Sequence, residues 1–141
     1  MGINRLSFGI QDFDKSVQDA INRHYDSDAF AQLLSQARKH NFSSINADLI
    51  YGLPYQTSQK FQKTIDTIIT LKPDRLALYS FAYLPQLISH HRLIKETTLP
   101  SPDEKIQLYL NAQTAFENAD YQSIAMDHFA LKTDDLAIAH T

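Results

Sequence analysis

Residues 45–81 read INADLIYGLPYQTSQKFQKTIDTIITLKPDRLALYSF, and this stretch decides the fold class. Its two ends, 45–51 and 75–81, are short apolar runs bounded by turn residues, which predict buried strands. Between them, Thr57 or Ser58 caps a helix whose apolar face repeats at helical spacing, at Phe61, Ile65, Ile68 and Ile69. A strand, a helix and a second strand in this order predict a parallel pair joined by a right-handed crossover.

The same alternation of strands and helices extends on both sides of this unit. Before it, the pattern predicts a strand at 3–10 and helices at about 14–23 and 27–40. After it, the pattern predicts helical turns at 86–96, a capping box with proline at 101–104, a helix to about 118, a strand at 123–126 and a helical start at 134–140. The fold class is therefore α/β, with parallel strand–helix units forming a covered sheet or part of a barrel wall.

Composition narrows the class of protein. The 141 residues carry a net charge of −3 with a pI near 6.0, which argues against nucleic acid as the main partner. No apolar run approaches the roughly 20 residues of a membrane span, and no signal peptide is visible, so we expect a cytoplasmic protein without membrane contact. The chain has no cysteine, which excludes disulfides, zinc–thiolate sites and a Cys-ligated iron–sulfur cluster held by this chain alone.

The number of strands is too small for a closed barrel or a complete doubly wound sheet. Three or four parallel strands leave two unpaired edges. The pattern also begins directly in a strand and stops inside a helical segment, so we expect a piece of a larger structure. Such a piece would expose apolar inner-face residues and would self-associate through its open edge.

Polar residues near strand ends are candidates for a site, because function in parallel α/β folds sits where strands end. Asp48 lies inside an apolar strand and is either a ligand acceptor or the partner of a structural hydrogen bond. Gln11 and Asp12 follow the first strand and either reach the site or form the turn. Arg23 ends the first helix and is either a clamp for a carboxylate or a solvated charge.

Other polar and aromatic residues give weaker signals. The six histidines lack the spacing of paired metal ligands and are predicted to lie on the surface, so no metal site is predicted. Asp127 beside His128 is either a proton-transfer pair or an ordinary loop pair. Three tyrosines lie near the ends of the second and third strands and indicate either a site for a large planar ligand or core packing: Tyr51, Tyr79 and Tyr83.

Four segments together carry a family resemblance: INRLSFGIQDF at 3–13, ADLIYGLP at 47–54, the stretch 74–85 ending in AYLP, and AMDHFA at 125–130. In this order and spacing, they closely resemble the oxygen-independent coproporphyrinogen III oxidases, which are radical SAM enzymes. The first two segments are shared with a related haem-chaperone branch, whose members bind haem and have no decarboxylase activity. The last two segments favour the oxidase branch.

The resemblance implies a partial (β/α)6 barrel, with residues 1–131 as its C-terminal half and 132–141 as the start of the next segment. In that family, a Cys-x-x-x-Cys-x-x-Cys motif holds a [4Fe–4S] cluster that reduces S-adenosyl-L-methionine (SAM) to a radical. The radical abstracts hydrogen from a propionate of coproporphyrinogen III. Loss of CO2 and an electron then leaves a vinyl group, and two such events give protoporphyrinogen IX.

The resemblance also assigns residues of this chain to the cofactor. Gln11, Arg23 and Asp48 match polar positions that contact SAM, and Ala82 matches a position that touches SAM through its backbone. No catalytic residue and no metal ligand is predicted within the chain, because the cysteine motif is absent from it. The chain alone is therefore expected to be inactive, with the cluster and the substrate belonging to the parent oxidoreductase.

Overall fold

The computed structural model describes residues 5–42, 44–125 and 127–132, and one mixed sheet runs through them. Its five strands are β1 (Arg5–Gln11), β2 (Ser44–Tyr51), β3 (Arg75–Ser80), β4 (Tyr121–Ala125) and β5 (His128–Leu131). The helices are α1 (Lys15–Ile21), α2 (Ser27–Lys39), α3 (Ser58–Leu71) and α4 (Pro102–Asn118). The strand order is β1-β2-β3-β5-β4.

The three strands that begin the sheet are parallel, as the sequence predicts. β1 pairs with β2 and β2 with β3, and the register places Asp48 between Gly9 and Ala77. The antiparallel strand β5 was not predicted; it lies between β3 and β4 and pairs with both. The predicted strand at 123–126 is β4, which begins at Tyr121 and forms a hairpin with β5. The fold is thus α/β with a mixed sheet.

One face of the sheet packs against the helices and forms the core. Alternate residues of β2 on this face, Ile45, Ala47 and Leu49, are buried against side chains of α2, α3 and α4. The opposite face of β2 carries Asn46 and Asp48, which are only half-buried. This open face of β2 is polar at these positions, whereas we expected apolar residues there. Self-association through the open edge of the sheet stays a prediction.

The N-terminal caps predicted for α3 and α4 are confirmed. Thr57 caps α3 by accepting a hydrogen bond from the Lys60 N–H at 3.2 Å. Ser101 and Glu104 form the predicted capping box of α4, with distances of 3.2 and 3.0 Å, and Pro102 is its first residue. Such reciprocal bonds satisfy N–H groups that have no partner inside the helix.

The segment predicted as helical turns at 86–96 differs from an α-helix. It forms two 3₁₀ helices, Ser89–Leu93 and Glu96–Thr98. Leu87 and Leu93 are 80% and 87% exposed, so the segment has no continuous apolar face to stabilise an α-helix. The helical start predicted at 134–140 lies outside the described residues.

Candidate functional site

A cavity of about 870 Å³ lies where the parallel strands end, which is the place expected for a site in this fold. Its wall includes Gln11 at the end of β1 and Ile50 near the end of β2. Arg23 borders the cavity just after α1, and Phe81 borders it just after β3. His91, from the first 3₁₀ helix, also lines the cavity. Two of the four residues assigned to SAM from the sequence therefore line one cavity.

Gln11 has an unusual backbone conformation. Its φ is +67°, and the Asp12 N–H donates to the Ile10 carbonyl at 2.8 Å, so Gln11 is the middle residue of a tight turn. The register between β1 and β2 shifts at this point, with a bulge between Gly9 and Gln11. A residue other than glycine at such a φ is strained by about 1–3 kcal/mol, and strain of this kind is typical of ligand sites.

The Gln11 side chain lies over Gly9 with an acceptor unused. Its Oε1 atom is buried and makes no hydrogen bond to the described part of the chain. A Cβ atom at Gly9 would lie 3.3 Å from Gln11 Nε2 and 3.4 Å from Arg23 Nη2. The absence of a side chain at Gly9 therefore leaves room for both polar groups to lie next to it.

Arg23 can lie next to Gly9 because α1 ends at Ile21, two residues before it. Asn22 takes the left-handed conformation at the helix end, with φ of +53°, and the Arg23 N–H donates to the Gln18 carbonyl at 3.0 Å. The nearby acid Asp19 pairs with His24 at 2.8 Å, and no ion pair of Arg23 with a described residue is found. The guanidinium is exposed and lies beside Gln11, so it is available to an anionic group.

Asp48 serves a structural hydrogen bond on the open face. One of its carboxylate oxygens accepts from Asn46 Nδ2 at 2.6 Å, and the same amide donates to Ser7 at 2.9 Å. Asp48 is not among the residues that line the cavity, although it lies opposite Gly9 in the register of β1 and β2. The pKa of Tyr79 is raised by burial and further by the Asp48 charge, which places the carboxylate near that ring.

Ala82 follows the end of β3 and is exposed. Its neighbour Phe81 donates its N–H to the Tyr51 carbonyl at 2.9 Å. The Phe81 carbonyl in turn accepts a hydrogen bond from Lys105 Nζ at 2.8 Å. The backbone that leads into Ala82 is therefore held on both sides.

Asp12 does not reach the cavity, which settles one of the alternatives left by the sequence. It is fully buried, and its carboxylate accepts from Thr64 Oγ1 at 2.5 Å, from Gln56 Nε2 at 2.8 Å and from the Asp14 N–H at 2.8 Å. Burial raises the pKa of Asp12, and these three hydrogen bonds oppose that rise. Asp12 organises the turn that presents Gln11.

Gln56 is a site residue that sequence reasoning missed. Its Oε1 accepts the N–H groups of Gly52 at 2.6 Å and Leu53 at 3.2 Å, while its Nε2 donates to Asp12 and to the Ile50 carbonyl. A single buried amide thus joins the loop after β2 to the turn after β1. Leu53 lines the cavity, so Gln56 helps to shape its wall.

The prediction that the histidines lie on the surface is wrong for His91, which is 6% exposed. Its Nδ1 accepts the Leu84 N–H at 3.0 Å, and its ring stacks on Tyr83 with an interplanar angle of 18°. Burial lowers the pKa of His91, and neighbouring His90 lowers it further, which favours the neutral ring. No signal at this position distinguishes His91 from its exposed neighbour.

The pair Asp127 and His128 has a structural role. The Asp127 backbone carbonyl accepts the Leu78 N–H at 2.8 Å, and the His128 ring packs edge-on against Tyr79 at 5.9 Å. No hydrogen bond joins the Asp127 and His128 side chains in the described part of the chain. Within residues 5–42, 44–125 and 127–132, no three acidic or imidazole groups have an arrangement that could hold a metal ion.

Comparisons with known proteins fit this geometry. The model of the Radical SAM superfamily matches residues 1–68. The oxygen-independent coproporphyrinogen III oxidase of Thermostichus vulcanus is 47% identical over 139 residues, which is 99% of this chain and 43% of that protein. The enzyme of the same name from Escherichia coli K12 is 44% identical over 138 residues, which is 98% of this chain and 30% of that protein.

A solved structure shows the same relation in three dimensions. Coproporphyrinogen III oxidase from Escherichia coli, described as a radical SAM enzyme, matches with a TM-score of 0.94 and 44% identity, covering 98% of this chain and 32% of that chain. The chain thus spans less than half the length of these relatives. None of the described helices is long and apolar enough to cross a membrane. Over nearly all of its own length, the chain is therefore similar in sequence and fold to one part of the oxygen-independent coproporphyrinogen III oxidases, and the resemblance inferred from its sequence is confirmed.

Proposed function

We propose that this chain forms the SAM-binding wall of an oxygen-independent coproporphyrinogen III oxidase. The parent enzyme would oxidatively decarboxylate coproporphyrinogen III to protoporphyrinogen IX in the cytoplasm, as a step of porphyrin and haem biosynthesis. The observation that carries the proposal is that Gln11 and Arg23 both line the strand-end cavity and that both side chains lie next to Gly9. The family resemblance assigns both residues to SAM.

The residues present fit SAM chemically. Arg23 would hold the methionyl carboxylate by charge-assisted hydrogen bonds, since its guanidinium has no acidic partner among the described residues. The buried Oε1 of Gln11 would accept a hydrogen bond from an amine or a ribose hydroxyl, which would satisfy an acceptor that is otherwise costly to bury. Asp48 would accept from a second hydroxyl or amine, and Ala82 would contribute its backbone N–H.

The residues do not fit an iron–sulfur cluster. The 141 residues contain no cysteine to hold the irons. Residues outside this sequence must therefore supply the cluster and the reductive step that makes SAM reactive. What this chain contributes is binding and orientation of the cofactor, and alone it is expected to have no decarboxylase activity.

Calorimetric titration of the chain with SAM tests the binding step. We expect Arg23→Ala to weaken SAM binding by about tenfold or more, which is the loss of one charge-assisted interaction. Lys39→Ala removes a cation that is exposed at the end of α2 and serves as the matched control. Equal affinities for the two variants would contradict the assignment of Arg23.

The reaction is tested by complementation. The chain is combined under anaerobic conditions with the remaining part of the Escherichia coli relative, which the resemblance predicts to carry the cysteine motif. We expect SAM-dependent release of CO2 from coproporphyrinogen III. All the relatives reported above are named as oxidases, which favours this activity over the haem-chaperone alternative; haem binding without CO2 release would favour that alternative instead.

A further inference from the structure

Lys105 lies in the first turn of α4 and points its amine at the end of β3. Its Nζ donates to the Phe81 carbonyl at 2.8 Å and lies 5.8 Å from the centre of the Tyr51 ring. Tyr51 and Phe81 are themselves joined by the hydrogen bond from the Phe81 N–H to the Tyr51 carbonyl. One lysine therefore contacts the ends of both β2 and β3, next to the cavity.

The loop after β2 is shaped to admit this lysine. Gly52 has a φ of +90°, and a Cβ atom there would lie 2.6 Å from Lys105 Cε and 3.1 Å from Cδ. The aliphatic part of Lys105 is thus packed directly on the Gly52 backbone. This close packing restricts the lysine side chain and so fixes the position of its amine.

The bond to Phe81 has a consequence for the next residue. The Phe81 carbonyl and the Ala82 N–H belong to the same planar trans peptide and point in opposite directions. Because Lys105 holds the carbonyl on the side of α4, the Ala82 N–H must point away from that helix. Within the described part of the chain, this N–H makes no hydrogen bond, so its donor is available to a ligand.

We infer that Lys105 is a positioning residue for the cofactor: by anchoring the Phe81 carbonyl, it aims the Ala82 N–H at SAM. The inference deepens the proposed function and rests on it, since it takes Ala82 as a backbone contact of SAM. Lys105 does not itself touch the cofactor. It acts through one peptide plane, and Gly52 is required so that the lysine can reach that plane.

The test compares three variants of the full chain: Lys105→Met, which keeps the stem and removes the donor, Lys105→Arg, which restores a donor, and Lys63→Met as the control. Lys63 is an exposed lysine on α3, and its side chain makes no hydrogen bond to the described residues. Thermal unfolding first verifies that each variant is folded. The ¹H–¹⁵N resonance of Ala82 is then measured without ligand, and SAM affinity is measured by calorimetry.

We expect Lys105→Met to move the Ala82 resonance well beyond the change caused by Lys63→Met and to weaken SAM binding about 5- to 20-fold, as loss of one aligned hydrogen bond would. Lys105→Arg should restore part of the native Ala82 resonance position and part of the SAM affinity. An unchanged Ala82 resonance in Lys105→Met would overturn the anchoring, and a changed resonance with unchanged SAM affinity would overturn the positioning role. If the unaltered chain fails to bind SAM, the proposed function fails, while the resonance still decides whether Lys105 sets this peptide.

Discussion

Replacing Asp12 by asparagine tests whether the buried hydrogen-bond cluster holds the site together. In the native cluster, every partner donates to the carboxylate: the Thr64 hydroxyl and the Asp14 N–H to Oδ1, and Gln56 Nε2 to Oδ2. An asparagine of nearly identical shape must place its own NH2 group at one of these two positions. Each orientation then brings a donor against a donor.

The cluster cannot relax easily to accept the amide. Rotating the Gln56 amide would turn its NH2 towards the N–H groups of Gly52 and Leu53, which its Oε1 now accepts. A buried polar group left without its partner costs about 1–3 kcal/mol. For a chain of this length, we therefore expect Asp12→Asn to lower the midpoint of thermal unfolding by about 2–12 °C.

Chemical denaturation followed by circular dichroism measures this cost as a change in the free energy of unfolding. Asp66→Asn, on the exposed side of α3, makes the same chemical change and should alter that free energy by less than about 0.5 kcal/mol. If Asp12→Asn unfolds at the same denaturant concentration as Asp66→Asn, the three donors do not require a carboxylate at position 12. That result would refute the claim that Asp12 holds the cluster together.

Three further perturbations follow from the described contacts. Gln11→Gly should raise the free energy of unfolding by about 0.5–1 kcal/mol, because it relieves the strain of a positive φ, while weakening calorimetric SAM binding; weaker stability would contradict the strain. Burial lowers the pKa of folded His91 below its ordinary 6.5, so the free energy of unfolding should fall as pH drops below 6.5. In denaturation at several pH values, His91→Gln should flatten this dependence, and the control His40→Gln should not. Gly52→Ala should destabilise the chain by about 1–2 kcal/mol or more, and by less in a Lys105→Ala background; equal costs by denaturation in both would exclude the contact.

The parallel part of the fold was predictable because each element carries its own local signal. The strand at 75–80 and the helix at 58–71 show uninterrupted apolar patterns with a cap or a proline at their ends. Strand β5 has only four residues; it forms a hairpin with β4, and its place in the sheet depends on pairing with β3, whose residues lie about 50 positions away in the sequence. Local patterning contains no such information, so the antiparallel insertion was missed.

The residues of the candidate site also differ in whether local sequence could predict them. Gln11 and Arg23 could be proposed as candidates from the sequence, because they lie near the ends of a strand and a helix at the edge where sites form, and the family resemblance assigned them to SAM. Gln56 could not, since its stretch reads as an ordinary turn and its partner Asp12 lies 44 residues earlier. Lys105 likewise has the sequence context of an exposed lysine in the first turns of a helix, and only its bond to Phe81 distinguishes it.

The site is built from local departures from ideal backbone that compensate one another. Gln11 is strained, yet the bonds of buried Asp12 hold the turn that follows it. Asn22 turns the chain at the end of α1 just before Arg23, and Gly9 leaves space beside it for the side chains of Arg23 and Gln11. Strain at a residue persists where the surrounding structure over-determines it. The buried cluster behind the turn provides that support, so we expect the residues proposed to bind SAM to depend on core residues outside the cavity.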